Sequence, residues 1–325
     1  MTTQAHALIG HQNIGTTFEG VYYVEKAFVK QTKTQKDYLD LVLRDKSGSR
    51  FVKFWGTIDG LLKGNWVFVV ANVEEYMGSP SIIAKNIEIV AQPDDLSDYI
   101  PVYDDMDQCA ERFDEIREEL KKLETSTGDE TAGMLVDEVY GNSKFFDKFV
   151  VAPGGIGTHY GRQGGLLACT VRVADVCLKT MGGYRLEDED KVILLASSLL
   201  YRIGAIDAYE FQDCVPVETK RGVLLGLNNL TMTRVSSALK RVITALNKQG
   251  NAPSQEVVIR LLHAVTSFDG NGVTPATREA LILQSIVRMD VDMVDAIEFI
   301  EQDVNENDEF TAYDPVLRRR YYTGC

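Results

Sequence analysis

The sequence predicts a multidomain chain, a small all-β barrel at the N-terminus followed by an all-α domain. Three observations carry this. Five strand-like segments crowd the first 92 residues, an acidic connector with two prolines follows, and apolar residues then recur at helical spacing almost to the end. At 325 residues the chain suits two or three such units.

A polar leader, residues 1–16, comes first. The five segments behind it are FEGVYYVEKAFVK (18–30), YLDLVLRD (38–45), RFVKFWG (50–56), NWVFVVANVEEYM (65–77) and SIIAKNIEIV (81–90). Leu39, Leu41 and Leu43 alternate with Asp40, Val42 and Arg44, the period-two signature of a half-buried strand. DKSGS then reads as a hairpin turn in which Gly48 supplies a positive φ. Five strands within residues 17–92 fit a closed barrel of the OB type.

Such barrels commonly hold single-stranded nucleic acid by stacking bases on aromatic rings while Lys and Arg follow the phosphates. In RFVKFWG, Phe51, Lys53 and Trp55 share one face and Val52 and Phe54 the other. With the second set in the core, Lys53 and Trp55 point outward, and Tyr38 and Arg44 of the preceding strand become their companions. Tyr38, Arg44, Lys53 and Trp55 are therefore the expected nucleic-acid contacts. Packing of the rings within the sheet is the alternative.

Residues 93–129 read as an acidic linker, PDDLSDYIPVYDD, and a connecting helix in which Ala110, Phe113, Ile116 and Leu120 line one face. A helical domain is expected over 130–310, with Pro275 opening its last helix. The tail, 311–325, ends in LRRRYYTGC. Its arginines and tyrosines could grip a nucleic acid or an acidic partner, or dock on the chain's own EQDVNENDE stretch.

The net charge of −14 argues against a chain that coats nucleic acid all over. It is unevenly spread: residues 1–92 hold 10 Lys and Arg against 9 Asp and Glu, and the remainder holds 24 against 39. A nucleic-acid face belongs at the N-terminal end. No apolar run spans a membrane and the first residues lack a secretory layout, so the expected location is the cytoplasm, with no membrane partner. Five cysteines without a CxxC pair read as reduced, mostly buried thiols. The glycines of PGGIGTHYGRQGG lack the Gly-Lys-Ser/Thr ending of a phosphate loop, and a flexible turn with close helix packing explains them.

KFVVAPGGIGTHYGRQGGLLACTVRVADV, LLASSLLYRIG and TPATREALILQSIVRMD, in that order behind a barrel containing YLDLVLRDKSGSRFVKFW, resemble the YhaM family of 3′-to-5′ exoribonucleases. The resemblance covers nearly the whole chain and implies an HD-like fold for the helical domain. In that family, His and Asp side chains hold divalent metals that activate a hydroxide. Here the implied site is degenerate. Cys169 stands where the GGLLxHT helix has its histidine, Tyr201 and Arg202 replace the histidine-aspartate pair, Leu227 replaces a later histidine, and Phe268 and Asp269 replace another pair. Asp290 matches the final aspartate, and His159 the first of a pair whose second member is Tyr160. Arg202 puts a fixed positive charge where a cation would sit.

The expectation is therefore a protein that binds single-stranded DNA or RNA, with the helical domain as scaffold or interaction surface, no catalytic residues and no cofactor. Cys169 is expected to be a buried, inert thiol and Arg202 to pair with Asp290 or Asp269. Replication or RNA-processing proteins are the expected protein partners, and the resemblance allows a homo-oligomer. Two alternatives stay open. One is a manganese-type 3′-to-5′ exonuclease or phosphodiesterase with a site rebuilt from Asp207, His263, Asp269 and Asp290; the other is a pure protein-interaction module.

Overall fold

Alternation of apolar and polar residues produces the first five strands in the computed structural model. It describes residues 6–323 except 33, 77–78, 104, 157–159, 270–271 and 303–308. The strands are β1 (Thr17–Gln31), β2 (Asp37–Asp45), β3 (Gly48–Phe54), β4 (Trp66–Tyr76) and β5 (Ser79–Val90), closed into a barrel in the order β1-β2-β3-β5-β4. All neighbours are antiparallel except β3 and β5, where Val52, Lys53 and Phe54 pair in parallel with Ile82, Ile83 and Ala84. That order, with its single parallel closure, is of the OB type.

Leu39, Leu41, Leu43, Val52, Val67, Val69, Ala71 and Ile82 fill the barrel. Gly48 turns the β2–β3 hairpin with φ 121°. The leader is not merely polar. Ile9 is fully buried in the barrel core, and the Asp45 carboxylate accepts its N–H at 2.6 Å and that of Ser47 at 2.8 Å.

The chain divides into two compact units, one dominated by residues 1–102 and the other by the chain from Tyr103 onward. Most of the expected linker belongs to the first. Asp98 accepts the Lys46 N–H through its backbone carbonyl at 2.9 Å, and the Tyr99 ring meets Trp66 edge-on at 4.7 Å.

The expected connecting helix belongs to the second unit. It is α1 (Met106–Thr127), whose Phe113, Ile116 and Leu120 are buried in the helical core. There follow α2 (Thr131–Tyr140), α3 (Ser143–Val151), α4 (Gly165–Thr180), α5 (Asp188–Leu200), α6 (Ala205–Ala208), the hairpin β6 (Tyr209–Gln212) and β7 (Val215–Glu218), α7 (Lys220–Lys248), α8 (Gln255–Ser267) and α9 (Arg278–Gln302). Residues 192–200 of α5 are buried all round, so this helix is the centre of the unit. Arg260 of α8 ties it to α9 by binding Glu189, Asp190 and the buried Glu279. Pro275 does not open α9, which begins at Arg278. No helix among the described residues is long and apolar enough to cross a membrane.

Candidate nucleic-acid interface

The pleat decides which side chains the barrel shows. On β3, Val52 is buried and Phe54 packs against the core, leaving Phe51, Lys53 and Trp55 outside. On β2 the inward leucines turn Tyr38, Asp40, Val42 and Arg44 the other way, although Asp40 and Val42 are themselves buried. Register then places Lys53 opposite Asp40, and Asp40 opposite Phe28 of β1.

Three expected contacts come together. Tyr38 and Trp55 lie with ring centroids 5.2 Å apart, tilted by 45°. Beside them, the Lys53 ammonium sits 5.3 Å from the centroid of the Tyr76 ring. Phe51 is 70% exposed, Tyr76 62% and Trp55 57%, values that waste apolar area unless something covers it. An open depression lined by Asp40, Phe51, Lys53, Tyr76 and Ser81 runs between these rings. Its negative charge is answered locally, since Lys30 forms an ion pair with Asp40.

Arg44 does not join them. It faces outward at the other end of β2, six residues and roughly 20 Å from Tyr38, with Glu25 3.6 Å from its guanidinium. Tyr76 and Phe28 were not among the expected contacts. Their signal was present: Val67, Val69, Ala71 and Val73 face inward, which by parity turns Tyr76 out.

In the helical unit, His159 lies outside the described residues. Cys169 on α4 is buried, its Sγ 3.2 Å from the Leu166 carbonyl oxygen that accepts from it. Burial pushes the thiol up to about 11, with the Arg202 charge pulling the other way. Tyr201 is buried and meets Phe268 edge-on at 5.0 Å. Arg202 does not form its expected ion pair. Its Nε donates to the Gly154 carbonyl at 2.6 Å. Asp290 instead accepts from the Tyr160 hydroxyl at 2.8 Å and has the Arg172 guanidinium 3.7 Å away. Burial raises the Asp290 carboxyl despite these partners.

Leu227 follows the kink at Gly226 in α7 and packs partly buried against the helical core. Asp269 is exposed and accepts from the Asn228 amide at 2.8 Å. The side chains of the rebuilt-site alternative are occupied separately: Asp207 by Arg221 and Arg234, and His263, whose Nε2 accepts the Ala276 N–H at 2.8 Å. Among the described residues, no three His, Cys, Asp or Glu side chains are grouped to hold a metal. The glycine pair is explained by space. Gly164 is left-handed at φ 84°, and a Cβ on Gly165 would lie 2.0 Å from the Tyr160 carbonyl oxygen.

No protein-family model and no curated protein matches this sequence. Among solved structures, the solution structure of the second OB-fold domain of replication protein A from Methanococcus maripaludis aligns at 18% identity and a TM-score of 0.23, covering 28% of this chain and 100% of that one.

Proposed function

We propose that this protein binds single-stranded nucleic acid on the outer face of its barrel, with Trp55, Tyr38, Tyr76 and Phe51 as stacking surfaces and Lys53 near the phosphates. One observation carries the reading: the exposed rings of Phe51, Trp55 and Tyr76, with the partly buried Tyr38 packed against Trp55 and the Lys53 ammonium over Tyr76, lie on the outside of the barrel. Each base has a π-face, so such a surface accepts any sequence, and each stack is worth about 1–3 kcal/mol. Stacking is indifferent to the 2′-hydroxyl, so DNA and RNA are both candidate ligands.

The helical unit serves in this reading as a scaffold, descended from the HD-like architecture that the YhaM resemblance implies. Support comes from the cluster around Arg202, where a buried thiol, two buried tyrosines and a fixed guanidinium stand at the positions that the resemblance assigns to metal ligands.

The test is a titration of fluorescent single-stranded DNA and RNA, with and without manganese, in which anisotropy and strand length are read from the same sample. Raised anisotropy with intact strands, weakened about tenfold or more by Trp55→Ala, is expected. Shortening from the 3′ end that depends on manganese would instead establish a nuclease.

A further inference from the structure

The C-terminal segment is a built element rather than a loose tail. Phe310 bridges Tyr322 and Asp314 bridges Arg319, closing a small hairpin over residues 310–322. Asp314 organises its turn. The buried carboxylate accepts from the Val316 N–H at 2.8 Å and the Tyr321 hydroxyl at 2.8 Å, while Thr311 Oγ1 accepts the Tyr321 N–H at 3.0 Å. The Tyr321 ring lies 6.0 Å from Phe299 of α9, which anchors the hairpin to its own unit.

What this frame presents is unusual for a chain of net charge −14. Arg318, Arg319 and Arg320 are consecutive and exposed. Arg318 sits in the left-handed region at φ 54°, a strain that a glycine would avoid. Among the described residues, neither Arg318 nor Arg320 has an ion-pair partner. The same hairpin carries Phe310 and Tyr322 as an exposed ring pair with centroids 5.6 Å apart, and an exposed Tyr313. Guanidinium groups beside open rings are the combination that grips phosphates and stacks bases.

We infer that the C-terminal hairpin is a second contact for single-stranded nucleic acid, with Arg318 and Arg320 on phosphates and the Phe310–Tyr322 pair as a stacking surface. This rests on the single-strand reading of the barrel.

The test uses the full chain, a fluorescent oligothymidylate and a salt series. Each phosphate contact to a single strand contributes about 0.7 to the slope of log K against log salt, so Arg318→Ala with Arg320→Ala should lower that slope by about 1.4. Tyr322→Ala should weaken binding about tenfold. Arg318→Gly suits the left-handed backbone and should keep the melting temperature while lowering the slope by about 0.7, which separates lost contact from lost fold. If the hairpin variants bind as the parent does while Trp55→Ala weakens binding, the inference fails and the barrel reading survives. No binding by the parent chain overturns both. Capture of a fluorescent polyglutamate peptide, lost in the arginine variants while oligothymidylate binding is unchanged, would overturn the inference in favour of an acidic protein partner.

Discussion

Glu124 sits near the end of α1, buried, with Oε1 accepting the Gly133 N–H of α2 at 2.6 Å. A Cβ on Gly133 would lie 2.2 Å from Oε2, so a larger residue there would push the Glu124 carboxylate aside. Burial pushes this carboxyl up to about 7 from its ordinary 4.5, against the Gly133 hydrogen bond, with Asp129, Glu130 and Asp137 adding to the rise. An acid whose folded value is raised favours folding most when protonated. Its contribution is therefore fully present below about 4.5 and is lost as pH climbs to about 7, where the loss levels off. The gap corresponds to about 3 kcal/mol as an upper bound.

Glu124→Gln keeps a carbonyl acceptor for Gly133 and removes the charge. Its advantage over the parent should be small at pH 4.5 and grow to about 2–3 kcal/mol above pH 7. Urea denaturation at a series of pH values, followed by far-ultraviolet circular dichroism, reads the helical unit, which dominates that signal. An advantage that does not change with pH, or a variant less stable than the parent at pH 8, would refute the assignment.

Arg260→Met should cost about 3 kcal/mol near neutral pH, because the buried Asp190 and Glu279 would lose their partly buried guanidinium partner; denaturant unfolding measures it. Gly165→Ala should lower stability by about 2 kcal/mol or more, since no rotamer relieves a Cβ pressed against the Tyr160 carbonyl; a melting curve checks this. Cys169 should resist thiol reagents until the chain unfolds, whereas the half-exposed Cys109 labels earlier, as mass spectrometry of timed samples would record. Arg44→Ala should leave oligonucleotide affinity within about twofold of the parent, in contrast to Trp55→Ala, because its guanidinium lies far from the stacked rings.

Where structure follows from near neighbours, the sequence was readable. Alternation in β2 and β3 set the inward and outward faces, and Lys53, Trp55 and Tyr38 met as their parity required. Parity does not report distance along a strand, so Arg44 shared the face without sharing the site. Ile9 and Tyr99 escaped notice because one apolar side chain in a polar stretch has no period, although each fills a place in the first unit. The amphipathic face of α1 was legible, but its partners lie in helices far along the chain, so it read as a connector. Pairings such as Tyr160 with Asp290, 130 residues apart, depend on the tertiary fold alone. The arginine-tyrosine run of the tail was visible as composition; the hairpin that presents it comes from Asp314 and Thr311.

The barrel face can be watched directly, because the chain has two tryptophans and only one of them is exposed. Trp66 is buried against Tyr23 and Tyr99 and provides a constant background, while Trp55 lies where a base would stack. Titrating the protein with unlabelled oligothymidylate while following tryptophan emission should give saturable quenching that duplex DNA does not reproduce, and that disappears in Trp55→Phe. Binding detected by anisotropy with the emission of Trp55 unchanged would contradict the assignment of this face.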